Sequence, residues 1–500
     1  MNRLFLFAIG GTGARVVRSL TMMLAAGVEG LDSSYEIVPL IIDYDLSNGD
    51  KSRAIKAINH YVDIHNALYP DIARGVNYNN HFFMTSVAPL PSSDSAKPYE
   101  FYFGPQNTEK FARYLQKSAL NTNPATALTE SLLEALYDTS PDTSKNAELE
   151  LDMAKGFKGN PNIGAVVFHE LKNSPEYQRF AATFNPTNDK VFIISSIFGG
   201  TGASGFPELV NAIRTDAHHA ALNNATIGAA LILPYFKLQP FDPTLGDIGA
   251  IDAASFNAKT KAALGFYATP NGVNQRVNSI YYVGDGHMDD YEYAEGEDRQ
   301  KNKAHAVEFI AATSVLDFLL NNRPNGAYEF SVKEDRLETS IQLPDFYDST
   351  HTLVLNDLSA FSLAMKYYRD VICGDRNRIN SSTAFYATFQ LSTQLGRGVW
   401  QNINEFLDSD YTNQWGYYSW LKELNDHVHK VHLYRMEKTQ DLPHILAHRV
   451  ISAGIFSANP VSDNKLSAKL NQASNGISQI SNTKFLQILR EVSKNTYQNL

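Results

Sequence analysis

Between Lys190 and Arg214 the chain reads KVFIISSIFGGTGASGFPELVNAIR, and this stretch restricts its fold more than any other. Val191 to Ile197 is an apolar, β-branched run of the length and composition of a buried strand. Gly199-Gly200-Thr201-Gly202-Ala203-Ser204-Gly205 follows, and an amphipathic helical stretch runs from Pro207 to Arg214. Glycines let successive backbone N–H groups converge on an anion, and a helix N-terminus adds partial positive charge. Strand, glycine turn and helix start together form a phosphate cradle, with Thr201 and Ser204 as hydroxyl donors.

The N-terminus repeats the pattern. Leu4 to Ile9 predicts a strand, Gly10-Gly11-Thr12-Gly13 a tight turn, and Ala14 to Ala25 a helix that buries Val16, Val17, Leu20, Met23 and Leu24. Ile37 to Ile42 predicts a second strand, which ends in Asp43-Tyr44-Asp45. A third glycine-rich loop, Gly156 to Gly164, contains Gly159 and Asn160 and leads into a helix expected over Ala165 to Leu171. A lone glycine turn is often only a tight βα connection. Three of them within about two hundred residues point to an α/β fold with a mostly parallel sheet, whose ligand lies beyond the carboxyl ends of the strands.

Composition narrows the partners. The chain has 500 residues, 43% hydrophobic and 19% charged, as in ordinary globular proteins with room for two to four domains. A net charge of −10 with no basic block argues against nucleic-acid binding. Cys373 is the only cysteine, which excludes an intrachain disulfide and fits a reducing compartment. No apolar run approaches the length of a membrane span, and the first apolar run reads as a strand rather than a signal peptide. The expected location is cytoplasmic.

The remaining segments carry fewer signals. Helical patterns cover Lys51 to Leu68, Thr126 to Tyr137, Ile251 to Tyr267 and Ala304 to Leu320, the last read as an amphipathic core helix with Glu308 as its candidate exposed residue. Asn77 to Asn121 reads as a loop-rich insertion, extending to about residue 150, and Asp285 to Asp298 as a surface loop. Past Arg323 the predicted elements are short strands at Ser340–Leu343 and His351–Leu355, helices from Leu358 to His448, a solvated linker over Ser457–Asn482, and a final helix from Lys484 to Tyr497. The expected division is a nucleotide-binding domain over 1–325 and a mainly helical C-terminal region over 326–500.

The order and wording of the three loops resemble the tubulin and FtsZ superfamily, over roughly Asn2 to Leu320, and within it a divergent bacterial tubulin-like group. Ala8 to Gly13 is similar to that family's first phosphate loop. Asp43 and Asp45 stand where an acid lies near ribose or magnesium, and Gly156 to Gly164 is similar to the loop that senses the γ-phosphate. Gly199, Gly200, Thr201 and Gly202 match the tubulin signature, and Asn257 the central-helix residue that contacts guanine. The resemblance implies GTP or GDP with Mg2+, self-association or filament formation, and protein contacts through the C-terminal region. Three departures stand out: Phe198 replaces the signature's first glycine, Ser204 a further one, and Ala14 follows Gly13. In addition, no Asp or Glu lies between Gly265 and Ile280, where the family's hydrolytic acid resides, so GTPase activity stays open.

Alternatives are a non-hydrolysing, nucleotide-dependent assembly protein and a Rossmann-type NAD(P) oxidoreductase. Gly11-x-Gly13 and Asp43 suit the oxidoreductase, but Val16 occupies the third glycine position of the dinucleotide fingerprint. His427, His429 and His432 read as a solvated helix face lacking an acidic ligand, and no G-x-S-x-G elbow supports a serine hydrolase.

Overall fold

The computed structural model describes residues 2–45, 47–94, 96–103, 110–120, 148–238, 255–286, 288–291, 300–321, 325–331, 340–341, 349–374, 383–395, 397–408, 414–427, 429–431, 463–478 and 480–498. The helix expected over Thr126 to Tyr137 lies outside these residues.

The first strand, β1 (Asn2–Ile9), passes directly into α1 (Gly10–Ala25), and β2 (Tyr35–Ile42) is followed by α2 (Gly49–Leu68). The stretch read as an insertion contains β3 (Ser86–Val87) and α3 (Phe111–Leu120). Next come α4 (Pro161–Phe168), α5 (Pro175–Thr183), β4 (Asp189–Ser196), α6 (Gly200–Arg214) and β5 (Thr226–Ile232). Proline opens both α4 and α5, where its missing N–H costs nothing. This is why α4 begins four residues before the expected Ala165. After β6 (Phe236–Leu238), the helix expected from Ile251 is α7 (Phe256–Tyr267); residues 251–254 are outside the described set. Then follow β7 (Ser279–Gly284), β8 (Asp289–Tyr291), α8 (Ala306–Leu320) and β9 (Gly326–Ser331).

Seven strands form one parallel sheet in the order β3-β2-β1-β4-β5-β7-β9. The chain runs outward from β1 to β3, returns to the centre, and continues outward from β4 on the other side. The switch point therefore falls between β1 and β4, which is where ligands of doubly wound sheets bind. The pleat sorts β1 cleanly. Leu4, Leu6 and Ala8 join the core made with α1, α2 and α8, while Phe5, Phe7 and Ile9 join the opposite core made with α4, α5 and α6. β9 completes the sheet edge although it lies past residue 325.

The chain is completed by β10 (Ser340–Ile341), α9 (Ser349–Tyr367), α10 (Ala384–Thr388), α11 (Leu391–Gln394), α12 (Val399–Leu407), α13 (Tyr417–Asn425), β11 (Lys430–Val431), α14 (Asp463–Ser474) and α15 (Asn482–Gln498). The segment His351–Leu355 is thus the start of α9, not a strand. Residues 463–474 of the expected linker are helical, with Leu466 and Leu470 buried. Helical spacing of two leucines outweighed the Ser and Asn content around them. Side chains of α9, α12 and α13 belong to the same hydrophobic core as α1 and α8.

α8 is the core helix expected, and the correction there concerns only Glu308. The helix is buried on all sides from Ala306 to Leu319, and Glu308 is 0% exposed. A helix between a sheet and a second helical layer has no solvent face, so its polar residues need internal partners.

Candidate nucleotide site at the sheet switch point

The three glycine loops converge at the carboxyl ends of β1 and β4. Register pairs Ile9 with Ile42 on one side and with Ser195 on the other, so Gly10 emerges beside both Asp43 and Ser196. Gly10 has φ +73°, and a methyl at Gly10 would stand 3.6 Å from Thr201 Cβ. Gly200 joins the second loop to the third. A methyl there would lie 2.9 Å from Phe157 Cβ and 3.0 Å from the backbone nitrogens of Gly159 and Asn160. Gly202 backs directly onto β4, where a methyl would meet Ser196 O at 2.3 Å. Three helix N-termini, those of α1, α4 and α6, thus start around one point, with Gly199 as the extended N-cap of α6. Thr12 and Thr201 remain half-buried at the mouth.

Two of the three departures, those at Phe198 and Ser204, have a physical account. Phe198 turns away from the loops and packs 4.9 Å from Phe256 and 5.6 Å from Phe236, ring centre to ring centre. Ser204 is not a donor to a ligand. Its hydroxyl is buried and donates to Gly200 O at 2.8 Å, one turn back in α6. Asn257 is exposed in the first turn of α7, and Lys259 in the same turn donates to Gly159 O at 2.8 Å, tying α7 to the third loop.

The second strand ends in two buried acids. Asp43 accepts from Asp45 N at 3.1 Å, Asp45 accepts from Ser47 N at 3.1 Å, and Lys51 Nζ donates to Asp45 O at 3.1 Å. Tyr44 between them stacks on Phe157 of the third loop at 5.0 Å. Burial pushes the Asp43 carboxyl up to about 7; Asp45 adds to this and Lys51 opposes it. An acid whose folded pKa is raised binds its proton more tightly in the folded chain. Its contribution to stability is therefore lost as pH rises from the unfolded value of 3.8 through about 7. Asp43→Asn is expected to match the wild type at pH 4 and to be more stable by about 2–4 kcal/mol at pH 8. Urea unfolding at the two pH values measures this, and an equal difference at both would refute it.

Sequence reasoning missed the layer beneath the first loop. Arg15 donates to Glu308 Oε1 at 2.5 Å, Asp50 Oδ2 at 2.6 Å, the Tyr235 hydroxyl at 2.7 Å and Thr12 Oγ1 at 3.2 Å. Asp50 also accepts from Arg53, and Arg53 and Arg18 both reach Glu423 on α13. Burial alone would raise the Glu308 carboxyl, but Arg15 and the Tyr235 hydroxyl outweigh it and hold Glu308 below the usual range. Asn48 caps α2 through Lys51 N at 3.0 Å, and its Nδ2 donates to Gln300 at 2.7 Å. A methyl at Gly11 would stand 3.4 Å from Asn48 Nδ2, so Asn48 also lines the mouth. The available signal was two arginines, Arg15 and Arg18, within an otherwise apolar helix pattern.

The histidine cluster is also corrected. His427 and His429 follow α13 and are not on a helix, and both have acidic partners. His427 Nδ1 is 3.3 Å from Asp289, and His429 Nδ1 is 2.5 Å from Asp285. Asp285 and Tyr291, expected on a surface loop, are buried. His432 lies outside the described residues.

Fold and site together define a doubly wound parallel α/β protein whose glycine loops meet at the sheet's switch point. No protein-family profile matches the chain, and no curated protein matches it in sequence. Among solved structures it is similar to CetZ from Methanosaeta thermophila strain DSM 6194, at 12% identity and a TM-score of 0.25. That similarity covers 73% of this chain and 60% of the other. No helix among the described residues is long and apolar enough to cross a membrane.

Proposed function

We propose that the chain is a guanine-nucleotide-binding protein of the tubulin/FtsZ type. The observation that carries this is the meeting of Gly10–Gly13, Gly159–Asn160 and Gly199–Gly202 at one point, with three helix N-termini around it. Backbone N–H groups of these loops would surround the phosphates, Thr201 would donate to them, and Asn257 would read the base. Asp43 and Asp45 place two buried carboxyl groups at the tip of β2, the oxygen donors that a hard divalent cation takes. Asp43 and Asp45 would hold Mg2+, which neutralises phosphate charge when bound.

Assembly is proposed as the consequence of nucleotide state, with the C-terminal region as the contact surface for partners. The segment after α7, residues 268–278, lies at the opposite end of the sheet from the glycine loops and carries no acid. A neighbouring copy docking through it would bring no carboxylate to the phosphates. The proposal is therefore one of binding, and turnover by that route is not expected.

Calorimetry with GTP, GDP, ATP and NAD is expected to show preference for the guanine nucleotides in Mg2+. Absence of guanine-nucleotide binding would end the proposal. Preference for NAD would instead favour a dinucleotide enzyme, which shares the strand order and the acid after β2. Hydrolysis that rises with protein concentration would show that assembly supplies a missing group.

A further inference from the structure

One cluster of ionisable side chains takes no part in the proposed nucleotide site. Asp289 on β8, His305 at the N-cap of α8 and His427 after α13 come from three separate parts of the chain. One candidate ligand atom from each lies within 4.8 Å of the other two. Asp289 Oδ2 is 3.0 Å from His305 Nε2 and 3.3 Å from His427 Nδ1. Four-coordinate zinc, with bonds of about 2.0–2.2 Å, holds neighbouring donor atoms about 3.3 Å apart, so these separations need little adjustment. His305 is fully buried and His427 nearly so, walled by Tyr235 and Tyr291.

His305 Nδ1 accepts the Val307 N–H at 3.1 Å, so its Nε2 carries the proton and donates to Asp289. His427 Nδ1 faces the same Asp289 oxygen, so one carboxylate oxygen draws both imidazoles together. Asp289 Oδ2 thus stands between two nitrogen ligands, within 3.0 Å of one and 3.3 Å of the other.

We infer that Asp289, His305 and His427 form a binding site for a divalent transition-metal ion of the zinc class, with a fourth position open. Two imidazoles and one carboxylate suit zinc; Mg2+ prefers oxygen ligands throughout. The site is therefore chemically distinct from the cation site proposed at Asp43. Metal on His305 Nε2 moves that ring's proton to Nδ1 and gives up the bond from Val307. The other half of the capping box, Glu308 accepting from His305 N at 3.1 Å, is unaffected. The ion would staple the segment after α13 to β8 and to the start of α8.

Full-length protein stripped with chelator tests this, titrated with Zn2+ by calorimetry and elemental analysis and with Co2+ by visible absorption. One Zn2+ per chain is expected, together with the strong visible bands of four-coordinate Co2+ and a higher thermal midpoint. Asp289→Asn and His427→Ala should each weaken Zn2+ by about a hundredfold. His429→Ala, whose ring pairs with Asp285 instead, should leave Zn2+ affinity unchanged. Substoichiometric Zn2+, weak six-coordinate Co2+ absorption, or undiminished affinity in a folded His427→Ala would overturn the assignment. The wild-type Co2+ spectrum decides the matter even where a variant fails to fold.

Discussion

Glu308→Ala is expected to cost the folded state about 3–5 kcal/mol, because it strips the buried Arg15 guanidinium of a charged partner. Arg15 is 3% exposed and Glu308 is 0% exposed, so neither can reach solvent to recover its hydration. Asp50 remains as a second acceptor, and the loss falls short of that for a bare buried cation. The loss is mainly that of an uncompensated charge rather than of the pair's attraction. The double variant Arg15→Met with Glu308→Ala should therefore recover more than half of it. Urea unfolding of the wild type, both single variants and the double variant gives the answer. A double variant as unstable as the sum of the singles would show that packing, not charge, dominates at this point.

The second large effect is on ligand binding. Gly200→Ala places a methyl 2.9–3.0 Å from Phe157 Cβ and from the backbone nitrogens of Gly159 and Asn160. None of these is the tip of a flexible side chain, so the third loop must withdraw from the second. Guanine-nucleotide affinity should fall by at least about tenfold, since each displaced backbone donor to a phosphate is a charge-assisted hydrogen bond worth about 1.5–3 kcal/mol. Ser204→Ala is the matched control. Its hydroxyl is committed to the first turn of α6, so removing it should leave affinity unchanged. Equal affinity in Gly200→Ala and wild type would mean that the three loops do not act on one ligand.

Legibility followed the range of the interactions. The strand, glycine turn and helix units at Leu4–Ala25 and Val191–Arg214 were readable because apolar periodicity and glycine act locally. The acid after β2 was readable for the same reason. The partners of Glu308 were not, because Arg15 is 293 residues away and the surrounding apolar pattern admits either an amphipathic or an enclosed helix. His427 failed similarly: its carboxylate partner, Asp289, lies on a segment whose acidic composition suggested solvent. In both cases a polar residue looked exposed only because its partner was remote.

By itself, then, the sequence determined the local vocabulary of this protein: parallel strands, glycine-rich turns and the helices that start from them. Tertiary structure alone decided that the three turns meet at one point, that Ser204 turns inward, and that Glu308 and His427 are enclosed with charged partners. The physical reason is that backbone propensity and periodicity act over a few residues. Desolvation and charge pairing depend on which distant segments the sheet order brings together.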